Sequence, residues 1–98
     1  MQQNQYIQEI QAQAAHFVCK EVGVDTLLVP LRDNVADFNQ YLTLNELGSF
    51  IYKLVADGNN FEQIHAALLD TYDVSADQAA QDLSNFIEQL HQYTVSHA

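Results

Sequence analysis

An α+β fold, with three short antiparallel strands followed by three helices, is what this chain of 98 residues predicts. β-prone apolar runs crowd between Phe17 and Leu44, and apolar residues at helical spacing dominate only after Asn45. The breaks between these runs are short, so the strands pair with their neighbours and the helices share one core. Independent domains usually run to about 100–150 residues, so the length allows one domain and not two. With 48% apolar residues the chain can build a core and does not read as a disordered tail.

The elements follow in order. Residues 1–15 are a Gln-rich extension in which Ile7, Ile10 and Ala14 share one helical face. The reading is open between a weakly amphipathic helix and a frayed polar segment, with no functional role assigned. Residues 16–93 form the domain and 94–98 a tail. Phe17–Val22 is a first strand ended by Gly23, and Thr26–Val29 a second closed by Pro30, which lacks an amide for a central ladder. A third lies within Ala36 to Leu44, around a turn at Asn39-Gln40.

Helical punctuation is clearer. Asn45 before Glu46 supplies a cap and an acid where free amides need them, and Leu47, Ile51, Leu54 and Val55 form a stripe before Asp57-Gly58 stops the helix. Gly48 falls inside this helix, where glycine costs about 1 kcal/mol relative to alanine. That predicts a backbone or ring crossing close to it. Asn60 with Gln63 starts a second helix that buries Ile64, Leu68 and Tyr72. Ser75 with Gln78 is a capping-box pattern. Beyond it Ala76, Ala80, Leu83, Ile87 and Leu90 repeat at four, three, four and three, a strong amphipathic stripe.

Charge narrows the function. Thirteen acids face three bases, Lys20, Arg32 and Lys53, for a net charge of −10. A duplex-binding protein needs cations on phosphates, and an anionic membrane surface repels such a chain. No apolar run approaches the roughly 20 residues of a membrane span, and the N-terminus lacks a basic start and apolar stretch, so a cytoplasmic protein is expected. Cys19 alone excludes an internal disulfide, and with only His16 nearby it predicts no metal site; a buried or half-buried thiol is expected. Three isolated glycines make no phosphate loop, and the acids suit capping and solubility better than proton transfer. No catalytic residue and no cofactor is expected.

Two other comparisons fail on particular residues. An acyl carrier presents Asp-Ser-Leu at a helix start, whereas Asp82-Leu83-Ser84 has the wrong order and lies inside the third helix. A winged helix-turn-helix also has strands with three helices and usually reads DNA. Yet the helix from Ser75 to Gln92 carries no Arg or Lys for base edges. A winged-helix DNA-binding or regulatory domain is the alternative reading.

The run Leu42-Thr43-Leu44-Asn45-Glu46-Leu47-Gly48-Ser49-Phe50-Ile51-Tyr52 closely resembles the PqqD family of small peptide chaperones. The resemblance extends through Asp37-Phe38-Asn39, Tyr72-Asp73-Val74, and Ala79, Asp82, Phe86 and Leu90, roughly from Phe17 to Gln92. Tyr52 stands where many members have Trp, the last helix ends differently, and the Gln-rich start lies outside the pattern. The resemblance implies a winged-helix-like domain that binds the leader of a ribosomally made precursor peptide and presents it to a modifying enzyme, often a radical-SAM protein. The leader would add as a strand beside the third strand and pack on the third helix. Backbone pairing would set register and a side-chain groove would set specificity.

A helical wheel centred on Leu83 puts Leu90, Ala76 and Ile87 within about 40°, with Ala79, Phe86 and Tyr93 offset together by roughly 40° to 80°. Peptide contacts are therefore expected from Tyr41, Leu42 and Thr43 on the strand and from Ala79, Leu83, Phe86 and Tyr93 on the helix. For Phe86, packing on the strands is the competing reading. An unpaired edge strand also invites a homodimer.

Overall fold

The computed structural model describes residues 2–97. The order is helix α1 (Gln2–Ala12), a 3-10 turn (Ala14–His16), strands β1 (Phe17–Val22), β2 (Asp25–Arg32), β3 (Val35–Ala36) and β4 (Leu42–Leu44), then helices α2 (Glu46–Ala56), α3 (Phe61–Thr71) and α4 (Ala76–His97). It is an α+β arrangement, strands before the helical set. No helix among the described residues is long and apolar enough to cross a membrane.

Strand β2 is the centre of the antiparallel sheet. It pairs β1 from Phe17↔Pro30 to Val22↔Asp25, and β4 from Leu28↔Leu42 to Thr26↔Leu44. Since β1 and β4 pair the same stretch of β2, they occupy its opposite edges. The expected third strand is split: Val35–Ala36 pairs Arg32 and Leu31, then the chain leaves the ladder and returns at Leu42. Asp33 and Asn34, at φ 55 and 65, make the tight turn between β2 and β3, a conformation that Asp and Asn tolerate. Pro30 does not close β2. The strand runs through it to Arg32, the Pro30 carbonyl accepts from the Asp37 N–H at 2.8 Å, and no described strand pairs Pro30 on the edge away from β1.

The caps form where the residues predict them. Asn45 Oδ1 accepts from the Gly48 N–H at 2.8 Å, and Asn60 and Gln63 make both halves of a capping box. Ser75 completes only one half: its hydroxyl accepts from the Gln78 N–H at 3.1 Å, while the Gln78 side chain donates to Asp82 Oδ1 at 2.8 Å. Gly58, at φ 95, reverses the chain after α2.

Of the two readings of the N-terminus, the helix forms. Ile7 and Ile10 are 1% and 2% exposed and join Leu28, Leu44, Ile51, Val55, Ile64, Leu83, Ile87 and Leu90 in one core. Two of the amide side chains around them reach the helix ends. Gln11 Nε2 donates to the Val55 carbonyl at 2.9 Å, satisfying the end of α2, and Asn4 Oδ1 accepts from the Phe61 N–H at 2.7 Å at the start of α3. Two stripe residues differ from expectation. Leu47 is 38% exposed, and Ala76 is exposed because α4 has only begun there.

Candidate functional site

Between β4 and α4 runs an open groove of about 340 Å³. One wall is Leu42–Leu44; the other is the face of α4 carrying Phe86, Gln89, Leu90 and Tyr93, with Asp25 and Asn45 at one end. Asp25 is the only carboxylate among the described lining residues.

The sheet edge bordering this groove has no strand partner among the described residues. Which backbone groups it offers follows from the hairpin. The β1–β2 loop is the two-residue Gly23-Val24, with Gly23 at φ 64, so Val22 and Asp25 close it as a hydrogen-bonded pair. Asp25, Leu27 and Val29 then turn their backbone groups toward β1, and Thr26 and Leu28 toward β4. Leu42 and Leu44 therefore bond to β2, and Thr43 aims both its N–H and its C=O out of the free edge.

Two contacts shape the α4 wall. A side-chain carbon on Gly48 would lie 3.0 Å from Phe86 Cε1 and 3.3 Å from Asn45 Oδ1, so the expected close approach at Gly48 is made by the Phe86 ring. Phe86 itself is half-buried, on the core and open to the groove at once. At the other end, the Tyr93 hydroxyl donates to the Gln40 carbonyl at 2.6 Å, with the Leu28 carbonyl 3.3 Å away. Burial, helped by the Asp37 carboxylate, holds the Tyr93 phenol above its ordinary pKa. His97 braces the same corner, with Nδ1 2.9 Å from the Tyr93 carbonyl and Nε2 3.3 Å from Gln40 Oε1.

The structure thus brings together Leu42, Thr43, Phe86 and Tyr93 of the expected contacts. Tyr41 is 52% exposed just outside the groove lining. Leu83 is 0% exposed and supports the wall from within the core. Ala79 is buried and lines a separate apolar slot between α2, α3 and α4. Gln89, Leu90, Asn45 and Asp25 line the groove and were not expected there. Gln89 is three residues after Phe86 and four before Tyr93, so helical spacing could have found it; Asp25 needed the β2–β4 register. Cys19 is exposed, contrary to the expected burial, because β1 is an edge strand. Burial and then the adjacent Cys19 thiol hold the Tyr52 phenol well above its usual range. Among the described residues no three or more His, Cys, Asp or Glu are grouped to hold a metal ion.

The family profile for coenzyme PQQ synthesis protein D (PqqD) matches residues 22–95, from the last residue of β1 through the groove wall of α4. The chain belongs to the PqqD family. No curated protein matches it. Among solved structures, this PqqD-family chain is similar to TbiB1 in complex with the TbiA(beta) leader peptide. The TM-score is 0.67 at 25% identity, covering 79% of this chain and 84% of that one. Helix α1 and all of β1 but Val22 precede the family match, and α1 packs against α4.

Proposed function

We propose that this PqqD-family chain is a non-catalytic recognition element for the leader of a ribosomally made precursor peptide, which it presents to a modifying enzyme such as a radical-SAM protein. The observation that carries the proposal is the unpaired β4 edge, open through Thr43, facing apolar side chains of α4 across one groove. An extended peptide there satisfies edge hydrogen bonds and covers the Phe86 and Leu90 surface in one placement. The similarity to TbiB1, solved in complex with a leader peptide, supports a peptide as the partner. Ordering a disordered leader opposes binding, so affinity depends on apolar anchors. A second copy of the chain is the competing occupant of the same edge. A DNA reader has no support in α4, which has no Arg or Lys.

Titration of the isotope-labelled protein with leader peptides encoded beside its gene tests the proposal, with mixed duplex DNA at low salt alongside. Amide shifts at Leu42–Leu44 and Phe86–Tyr93 are expected. Duplex binding without peptide binding, or shifts confined to α3 and the His91 face, would overturn it.

A further inference from the structure

The face of α4 that walls the groove continues past Phe86 toward the start of the helix. Ala79, Asp82, Phe86, Gln89, Leu90 and Tyr93 fall within about 100° of arc on α4 at 100° per residue, one continuous stripe. Its later residues line the β4 groove, and its first two line the second slot, of about 240 Å³. That slot is walled by Leu47, Ile51 and Leu68, with Asp82 as the only carboxylate among the described lining residues. The exposure of Leu47 belongs to this slot: the residue stands at its rim rather than in the core. Phe86 lines the groove on the same helix face, its ring lying against Gly48, which has no side chain to displace it.

We propose that this slot takes one bulky apolar side chain, leucine or aromatic, of the same peptide that pairs with β4. The inference rests on the peptide-binding reading above. Size and chemistry identify the occupant. The volume is below the roughly 300 Å³ at which small-molecule pockets begin, and the lining offers almost nothing polar to orient a free ligand. Direction follows from α4 running antiparallel to β4: Tyr93 reaches Gln40, and Phe86 reaches Gly48, which lies against Leu44. The slot therefore lies beyond the Asn45 end of β4. From the level of Thr43, near Leu90, to that of Ala79–Asp82 is about 9 helical residues, or about 14 Å, which an extended chain covers in about 4 residues. The anchor thus lies about 4 positions from the residue opposite Thr43, on the side leaving past Asn45.

Random peptides displayed on phage and selected on the full chain test this. Selected peptides are then measured against the parent, Thr43→Pro and Leu47→Gln. Expected is a shared bulky apolar position about 4 residues from the paired segment, with Ser there weakening parent binding about tenfold and having little further effect in Leu47→Gln. Amide shifts at Leu68 and Val74 in the parent, lost with the Ser peptide, give a readout independent of any variant. Peptides that need Thr43 but show no such position and no Leu68 shift overturn the slot while leaving peptide recognition intact. If no selected peptide is sensitive to Thr43→Pro, the β4 reading fails and takes the slot with it.

Discussion

The Phe86 ring passes 3.0 Å from where a side-chain carbon on Gly48 would sit, so the glycine inside α2 sets how deep the groove wall lies. Gly48→Ala trades a helix-propensity gain of about 1 kcal/mol against displacement of the ring and the Asn45 cap. Its melting temperature is expected to stay near the parent's while peptide affinity falls. Gly48→Leu should unfold at clearly lower temperature. A leucine variant melting at or above the parent would show that the contact is not confining.

Phe86→Ala separates wall from core. A fully buried Phe truncated to Ala costs about 3–5 kcal/mol, and the half-buried Phe86 should cost about 2. Peptide affinity should drop about tenfold or more. Chemical unfolding and calorimetric titration on the same preparations compare the two losses; a stability loss without an affinity loss would make Phe86 a core residue only.

Thr43→Pro removes an amide that points out of the sheet, while Leu42 and Leu44 keep the ladder to β2. The residue before it is already extended, as proline requires. We expect near-parental melting and loss of peptide binding. Retained binding would mean the peptide does not pair with β4.

Alkaline pH reports on two phenols, Tyr52 buried and Tyr93 partly buried. Tyr52 and Tyr93 both have raised pKa values in the fold, chiefly from burial. A phenol held neutral in the native state stabilises it fully below the unfolded pKa of about 10, and that contribution is lost as pH rises through the higher folded value. Melting temperature should therefore fall above about pH 10, less steeply in Tyr52→Phe and, by a smaller margin, in Tyr93→Phe. An unchanged slope in both variants would assign the alkaline loss to other groups.

Helix α1 should behave as core. Ile10→Ala is expected to lower stability by about 2–4 kcal/mol in urea unfolding, the range of buried large-to-small changes, with peptide contacts unchanged. A loss under about 0.5 kcal/mol, the level of surface substitutions, would mean that α1 docks only loosely.

What the sequence alone determined is what local chemistry decides. Asn45, Asn60 with Gln63, and the spacing of Leu83, Ile87 and Leu90 act within a turn or two of themselves, so α2, α3 and α4 were legible, as were Gly48's close neighbour and the acidic character of α4. Tertiary structure decided the rest. The Gln-rich segment is helical because Ile7 and Ile10 find a core to enter and Asn4 and Gln11 find the open ends of α3 and α2, partners about 44 to 57 residues away that no local window contains. Pro30 stays within β2 because the chain leaves the ladder opposite it. The helical wheel ranked Ala79, Leu83 and Phe86 only by angle, whereas what each angle meets depends on where β4, α2 and α3 stand. Leu83 meets the core, Ala79 the slot, and Phe86 the glycine beside an open sheet edge.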